Sequence, residues 1–181
     1  MVRAEVQPTI EGLQLIECRY FHDSRGFFAE SFREEALQKL GLTSKFVQDN
    51  HSRSLPRVLR GLHLQRSPDE QGKMVRVMRG KIWDVTVDLR KGSASFGKSF
   101  GCELSDTNGL MLWVPKGFAH GFAVLGDEAA DVFYKVDAYY NPKTDGGIRW
   151  NDPELGIQWP ISDPLVSAKD AALPLLRDFA K

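Results

Sequence analysis

Apolar and polar side chains alternate with a period of two in many short segments of this chain, and this feature constrains the fold most strongly. The clearest case is residues 81–89, KIWDVTVDL, in which every second residue from Trp83 onward is aromatic or aliphatic. This period is typical of a β-strand with one face on a core, so we expect a half-buried strand here. Glycines separate it from further candidate strands, which are residues 13–16, 26–32, 46–48, 58–65, 74–78, 96–104, 110–114, 121–125 and 132–140.

Helical patterns occur in two segments. Residues 33–40 contain strong helix formers and are closed by Gly41, and residues 167–179 predict a helix that Pro174 interrupts. Many closely spaced strands with few helices predict an all-β fold, a jelly-roll barrel or sandwich with a few short peripheral helices. The 181 residues show no repeat or linker, so we expect a single domain over residues 1–181.

The overall charge argues against one class of function and leaves another open. The chain has 24 Lys and Arg residues against 24 Asp and Glu, a formal net charge of +0, whereas a nucleic-acid module normally carries a basic excess. A small anionic ligand needs only a local cluster of cations. Residues 1–21 have no continuous apolar run typical of a signal peptide, and no segment approaches the ~20 apolar residues of a membrane span. We therefore expect a soluble, cytoplasmic protein with no nucleic-acid or membrane partner.

The first group of polar residues in a predicted strand lies in residues 59–65, LRGLHLQ. Alternate side chains of a strand share a face, so we expect Leu59, Gly61, His63 and Gln65 to point to the same side. A histidine that points into a barrel is either a hydrogen-bonded core residue or a base or ligand, and this segment alone leaves both interpretations open.

The second motif runs from Gly109 to His120 with the spacing G-x5-P-x-G-x2-H. It resembles the second sequence motif of the cupin superfamily, small jelly-roll barrels with a site in the barrel mouth. Metal-binding cupins also carry an H-x-H pair in their first motif, and here that pair reads His63-Leu64-Gln65. An amide is a poor ligand for zinc or iron. A metal site of His63, His120 and Glu70 nevertheless stays open as an alternative.

Seven blocks together carry a much more specific resemblance. They are residues 23–30 (DSRGFFAE), 48–52 (QDNHS), 59–65 (LRGLHLQ), 71–73 (QGK), 88–90 (DLR), 115–122 (PKGFAHGF) and 150–152 (WND). In this order they resemble the dTDP-4-dehydrorhamnose 3,5-epimerase family of deoxysugar biosynthesis, over nearly the whole chain.

That resemblance implies a cupin-type jelly roll that forms a homodimer and epimerises dTDP-4-dehydro-6-deoxy-D-glucose at carbons 3 and 5 without a cofactor or metal. The product, dTDP-4-dehydro-L-rhamnose, leads to dTDP-L-rhamnose for cell-surface polysaccharides. The implied catalytic residues are His63 as base, Tyr134 as proton donor, Asp170 as the acid paired with the base, and Lys73 beside the keto oxygen. The implied substrate-binding residues are Arg25, Glu30, Gln48, Asn50, Arg60, His120, Lys169, Tyr140, which would stack on the thymine, and Asp145, where some members carry Glu.

The residue types suit this chemistry. Removing a proton next to a ketone leaves an enolate, so the reaction needs a base, an acid on the opposite face and a stabiliser of the oxyanion. An imidazole has a pKa near working pH, a carboxylate can fix its tautomer, and an ammonium can stabilise an enolate oxygen. Each residue also has a structural interpretation: Ser167-x-x-Asp170, for example, is a capping-box pattern.

Three alternatives therefore stay open. The chain could invert only one of the two centres, although the presence of all four implied catalytic residues favours double inversion. It could be a metal-dependent cupin enzyme, against which Gln65 argues. It could also be a non-catalytic module that binds a nucleotide sugar. In the favoured interpretation, a neutral protein carries a cationic cleft formed by Arg25, Arg60, Lys73 and Lys169.

Overall fold

The computed structural model describes residues 2–6 and 10–179. Their strands are β1 Val2–Val6, β2 Gln14–Cys18, β3 Tyr20–Asp23, β4 Gly26–Ala29, β5 Gln48–Ser54, β6 Val58–Gln65, β7 Lys73–Arg79, β8 Lys81–Asp88, β9 Ser99–Ser105, β10 Leu110–Val114, β11 Phe118–Val124, β12 Ala130–Val136, β13 Asp145–Gly147 and β14 Leu165–Val166. The helices are α1 Glu34–Lys39, α2 Ala168–Ala171 and α3 Leu176–Phe179. Within this part of the chain, no helix has the length and apolar character needed to cross a membrane.

Two sheets of mostly antiparallel strands form the body of the protein. The first has the order β1-β2-β10-β7-β12-β5 and the second the order β13-β6-β11-β8-β9, with β14 added parallel to β6. Their facing sides share one core cluster, to which Val75, Leu112 and Val132 contribute from the first sheet and Leu104 and Phe122 from the second. Sheets that share an apolar core in this way pack face to face. The prediction of an all-β jelly roll with a few short helices is confirmed.

Strand β8 is buried more completely than its sequence predicts. Its apolar face, with Val85 and Val87, is covered by the C-terminal segment, including Leu176, in a second core cluster. Its polar face carries Asp84 and Thr86, which are both 0% exposed. The expectation of a half-buried strand is therefore wrong, because the polar face lies inside the barrel and not in solvent.

Several boundaries also differ from the sequence prediction. Strand β5 continues to Ser54, well beyond the predicted residues 46–48, because an edge strand whose alternate side chains are exposed needs no apolar alternation. Strand β11 begins at Phe118 and is buried throughout, so it lacks the alternation that marks a strand start. The helix predictions are confirmed: α1 lies within residues 33–40, and the predicted C-terminal helix is interrupted at Pro174, with α2 before it and α3 after it.

A β-bulge in β6 orients the residues of its central motif. His120 pairs with His63, but Phe122 pairs with Arg60, so two residues of β6 lie opposite Gly121 alone. An extra residue reverses the alternation beyond it, which places His63 on the face opposite to that of Leu59. The expectation that Leu59 and His63 share a face is therefore wrong. A Cβ on Gly61 would lie 2.6 Å from the Cα of Gly121, so this close strand contact requires glycine.

Candidate active site

A cavity lies between the two sheets. It is lined by residues of β5, β6, β7, β12 and β13, of the loops between them and of α2, namely Gln48, Asn50, His63, Leu64, Gln65, Gln71, Lys73, Tyr134, Tyr140, Asp145 and Lys169. Eight of the thirteen candidate residues from the sequence are in this set. The cavity therefore brings together side chains from both sheets that are far apart in the sequence.

His63 forms a dyad with Asp170 at one wall of the cavity. Its Nε2 lies 2.7 Å from Oδ1 of Asp170, while Oδ2 of Asp170 accepts the backbone N–H of Gly61 at 3.0 Å. Because a carboxylate only accepts hydrogen bonds, Nε2 of His63 carries the proton and Nδ1 has the free lone pair. The imidazole is 31% exposed, so it remains accessible from the cavity.

The environment of Asp170 favours its charged form. Burial alone would raise the pKa of this carboxyl, but the hydrogen bonds from His63 and Gly61 outweigh burial and hold the pKa below its ordinary value. Ser167 caps α2, because its Oγ accepts the N–H of Asp170 at 3.1 Å. The capping-box interpretation is therefore correct only for Ser167, because the Asp170 carboxylate accepts hydrogen bonds from His63 and Gly61 and not from a backbone N–H at the start of α2.

Lys73 lies on the cavity floor beside the dyad. It is only 8% exposed, and its Nζ donates a hydrogen bond to the carbonyl oxygen of His63 at 3.3 Å. Burial lowers the pKa of Lys73 to about 8, although Asp84 and Asp145 act in the opposite direction. This ammonium is therefore mostly protonated at neutral pH and loses its proton in mildly alkaline solution.

Tyr134 comes from the opposite sheet. It lies on β12, paired with Asn50 of β5, and its ring packs against the core while it still lines the cavity. Burial raises the pKa of the Tyr134 phenol, with an opposing contribution from Arg60. The phenol is therefore neutral over the ordinary range of pH and available as a proton donor.

A hydrogen-bonded network forms the outer wall. Asp145 accepts a hydrogen bond from the hydroxyl of Tyr140 at 3.1 Å and another from Nζ of Lys169. Burial would raise the pKa of Asp145, but these two partners outweigh it and keep the pKa below its ordinary value. The backbone N–H of Tyr140 donates to Gln48, whose amide nitrogen donates to Asn50. The network leaves the Tyr140 ring exposed at the cavity rim.

His120 lies beside the dyad, below the cavity surface. It pairs with His63 across β11 and β6 and is 7% exposed, with Nε2 at 2.8 Å and 3.0 Å from the two carboxylate oxygens of Asp84. The sequence reasoning did not single out Asp84. The sequence does carry a signal for Asp84, because it is an acidic residue on the polar face of a strand whose other face is fully apolar.

Three further candidates lie outside the cavity wall. Arg60 borders a groove adjacent to His63, where its Nε donates to Oγ of Ser54 at 2.8 Å. Arg25 and Glu30 lie on or next to the hairpin β3–β4 and form ion pairs with close neighbours in sequence. Neither lines the cavity of its own chain. Among the described residues, no three His, Cys, Asp or Glu side chains are arranged to hold a metal ion.

Comparisons with known proteins identify relatives of this chain. Residues 7–178 match the family model described as dTDP-4-dehydrorhamnose 3,5-epimerase. The enzyme of that name from Escherichia coli is 50% identical over 178 residues, 97% of this chain and 96% of the relative. A crystal structure of a Bacillus anthracis dTDP-4-dehydrorhamnose 3,5-epimerase with TDP and PPi bound is 46% identical with a TM-score of 0.93, covering 97% of this chain and 99% of that one. A dTDP-6-deoxy-D-glucose-3,5-epimerase from Legionella pneumophila, in complex with dTDP-4-keto-L-rhamnose, is also 46% identical with a TM-score of 0.93, covering 98% and 94%.

Proposed function

The chain belongs to the dTDP-4-dehydrorhamnose 3,5-epimerase family, and from this membership we propose that it inverts carbons 3 and 5 of dTDP-4-dehydro-6-deoxy-D-glucose. The product is dTDP-4-dehydro-L-rhamnose, a precursor in dTDP-L-rhamnose and cell-surface polysaccharide biosynthesis. One observation carries the assignment of roles: the His63–Asp170 dyad, Lys73 and Tyr134 converge on a single cavity. A base, an oxyanion stabiliser and an acid are the groups that an epimerisation next to a ketone requires.

His63 removes the proton. Its Nδ1 takes the proton from the carbon next to the ketone. The electron pair of that C–H bond forms a double bond to C4, and the π electrons of the ketone move to its oxygen, which gives an enolate with its charge on the C4 oxygen. The imidazolium that forms is stabilised by Asp170, whose carboxylate accepts the Nε2 proton at 2.7 Å. The same carboxylate keeps the unprotonated nitrogen directed away from itself, so the base is in its active tautomer before substrate binds.

Lys73 stabilises the enolate oxygen. Its ammonium is held against the His63 carbonyl in a largely buried position, where an electrostatic interaction is stronger than in water. Loss of one such donor typically costs about 10²–10³ in rate. The hydrogen bond to the His63 carbonyl fixes Nζ beside the base. The ammonium is therefore placed to stabilise the negative charge that develops on the C4 oxygen as His63 removes the proton.

Tyr134 returns a proton from the other face. It projects from β12, while His63 projects from β6 of the other sheet, so the two groups approach the sugar from different walls. Because burial raises its pKa, the phenol keeps its proton until the enolate carbon takes it. After the first inversion the His63 imidazolium gives its proton to solvent and the Tyr134 phenolate takes one up, and repeating the sequence at the second carbon then gives the doubly inverted product.

The substrate's nucleotide is held at the outer wall and the adjacent groove. Arg60 suits the diphosphate, because a guanidinium binds phosphate oxygens in a bidentate manner. The exposed ring of Tyr140 can stack on the thymine, and its hydrogen bond to Asp145 fixes its orientation. Gln48, Asn50 and Lys169, which line the cavity, complete the proposed substrate contacts, whereas His120, predicted to bind substrate, lies below the cavity surface.

The proposal includes a homodimer. Arg25 and Glu30 match substrate-binding positions but do not line the cavity of their own chain. The hairpin that carries Arg25 also exposes Phe27 and Phe28, which are 55% and 69% exposed. Exposed aromatic side chains on one hairpin favour a protein partner, and a second copy would place both polar residues in the partner's cavity. If sites are shared in this way, mixing Arg25→Ala with His63→Ala protein should restore activity that neither variant has alone.

The proposed reaction can be tested by incubating the thymidine-linked keto sugar with protein in D2O. We expect deuterium at both carbons that flank the ketone, and no incorporation with His63→Ala. His51→Ala is a matched control, because His51 also contacts an aspartate, Asp131, but lies outside the cavity. Deuterium at one carbon would restrict the reaction to a single centre, and no exchange by folded wild-type protein that binds the sugar would reduce the function to binding.

A further inference from the structure

Gln65 lies on the same strand as His63 but takes no part in the proposed proton transfers. It is two residues after His63 on β6, so both side chains point to the same face. It lines the cavity, yet the residue is only 3% exposed. A polar side chain buried to this extent normally has all its hydrogen-bonding atoms paired.

One half of the Gln65 amide is fully anchored. Its Oε1 accepts the backbone N–H of Asn141 at 2.7 Å; the hydroxyl of Thr144 lies 3.4 Å away, but its single proton has a closer acceptor, Oδ2 of Asp69, at 3.0 Å. Since a backbone N–H can only donate, the oxygen must face Asn141, and the orientation of the amide follows from this contact. The nitrogen is thereby turned the other way.

The other half is without a partner. Among the described residues, Nε2 of Gln65 is one of three buried side-chain nitrogen or oxygen atoms that make no hydrogen bond, with Oε1 of Gln14 and Oγ1 of Thr86. Neither Gln14 nor Thr86 lines the cavity. A buried donor left unpaired costs free energy, and this cost is recovered if a ligand supplies an acceptor.

We propose that Gln65 is a further catalytic residue, whose amide nitrogen donates a hydrogen bond to the C4 oxygen of the substrate and to the enolate oxygen that develops from it. The inference rests on the proposed epimerase function. A ketone oxygen has no proton, so it can be matched only by donors, and Nε2 of Gln65 and Nζ of Lys73 are both donors beside His63. Gln65 is two residues away on β6, and Nζ of Lys73, from β7 of the other sheet, bonds to the His63 carbonyl. The sugar hydroxyl groups, in contrast, can use the carboxylate of Asp145, which pairs with Gln65 across β13 and β6, and the amide oxygen of Asn50 on β5.

The two donors have different properties. Lys73 supplies charge but loses its proton at mildly alkaline pH. A neutral amide supplies a weaker, directional hydrogen bond at every pH, and its anchoring on Asn141 means that little reorganisation is needed as charge develops. At this position metal-binding cupins have a second histidine, which serves as a metal ligand. In this chain Gln65 instead supplies a hydrogen-bond donor to the C4 oxygen.

The test uses two substitutions of similar size to glutamine. Gln65→Met removes both ends of the amide without adding charge, whereas Gln65→Glu retains an acceptor for Asn141 but removes the donor. We expect both variants to lower kcat by about 10²-fold, with a much smaller change in KM, because the hydrogen bond strengthens as the enolate forms. Thr144→Val is the matched control, since it removes the hydroxyl that lies beside the anchored oxygen and bonds to Asp69, and leaves the Gln65 donor in place.

The outcomes separate a donor from a structural support for the 141–144 loop. A structural role predicts that Gln65→Glu keeps wild-type kcat, and that Gln65→Met resembles Thr144→Val with a raised KM or a lowered Tm. Either result would overturn the proposal, as would a kcat of Gln65→Met within about threefold of wild type. Failure of the epimerase function itself would be seen separately, as an absence of deuterium exchange by the wild-type protein.

Discussion

Replacing Asp170 with asparagine should remove most of the turnover while leaving the fold and substrate binding nearly intact. In the native site, Asp170 accepts two hydrogen bonds, from Nε2 of His63 at 2.7 Å and from the N–H of Gly61 at 3.0 Å. Asparagine has one oxygen only. Because the Gly61 N–H can only donate, the amide oxygen should stay on that side and turn the NH2 group toward His63. His63 must then accept at Nε2 and carry its proton on Nδ1, the nitrogen that should remove the substrate proton.

The expected loss combines this wrong tautomer with a weaker stabilisation of the imidazolium. The same change behind the catalytic histidine of serine proteases lowers kcat by roughly 10⁴. We expect a loss of about 10³–10⁴ for Asp170→Asn, or roughly 4–5.5 kcal/mol in the activation barrier. The measurement is the rate of deuterium incorporation from D2O into the keto sugar, together with the dissociation constant of dTDP from calorimetry, which should not change.

Ser167→Ala is the control for Asp170→Asn. It removes the oxygen that accepts the Asp170 N–H at 3.1 Å, which should lower the free energy of unfolding by about 1 kcal/mol and reduce kcat only a few-fold. If Asp170→Asn retained more than a tenth of wild-type kcat, or if its loss appeared only in KM, the dyad would not set the tautomer of the base. A loss of equal size in Ser167→Ala would indicate that the position of α2, not the carboxylate, is what matters.

Further predictions concern the other catalytic groups and the strand contact beneath them. Because Lys73 must be protonated to stabilise the enolate, kcat/KM should fall as pH rises through about 8, and Lys73→Met should lack this alkaline limb; an unchanged limb would assign it to another group. Tyr134→Phe should lower epimerisation by about 10²–10⁴ while His63 still exchanges deuterium with retention of configuration, and NMR of the recovered sugar distinguishes retention from inversion. In Gly121→Ala, the new Cβ would lie 2.5 Å from the backbone oxygen of Arg60, so the free energy of unfolding should fall by about 1–3 kcal/mol; an unchanged denaturation midpoint would contradict the close contact.

The sequence was a good guide to residues whose pattern is local. Alternation predicted β8, a short apolar run predicted β10, and the glycine after residue 40 predicted the end of α1. It was a poor guide where tertiary context sets the pattern. Strand β5 has almost no apolar residues, because it is an edge strand, and its existence depends on pairing with β12.

The facing of side chains in β6 was predicted only in part. His63 and Gln65 share a face, as alternation requires, but the bulge at Gly61 moves Leu59 to the other side. The bulge depends on the close approach of β6 and β11, where Gly61 lies against Gly121. These two glycines are sixty positions apart in the sequence. Nothing within the seven residues of the motif specifies that contact.

The candidate site shows the same division between local and non-local information. Family resemblance placed His63, Lys73 and Asp170 in one site, and the structure brings them together. The family resemblance did not point to Asp84, because the residues that it implies contact the substrate, whereas Asp84 hydrogen-bonds to His120. The unpaired nitrogen of Gln65 could not be inferred either, since it depends on the Asn141 backbone.

The positive charge of the cavity is less available than the sequence predicts. The chain is neutral overall, and a cationic cleft was expected to attract the dianionic nucleotide. Lys169 is paired with Asp145, and Lys73 is buried, so both cations are partly neutralised or shielded. Within the part of the chain that the structure describes, the hydrogen-bond acceptors of Arg60 are neutral oxygens, Oγ of Ser54 and the carbonyl oxygen of Arg53, so Arg60 retains its charge for the diphosphate.

The salt dependence of substrate binding should therefore depend mainly on Arg60. In the wild-type protein, KM should rise with ionic strength because salt screens an exposed guanidinium. Arg60→Gln should raise KM at low salt and make it nearly independent of salt, with kcat changed much less. Lys169→Gln is the matched comparison, because it removes a cation that already has a carboxylate partner. A salt slope that persists in Arg60→Gln but disappears in Lys169→Gln would refute this account, since the ion pair with Asp145 would then leave Lys169 as the dominant attractive charge.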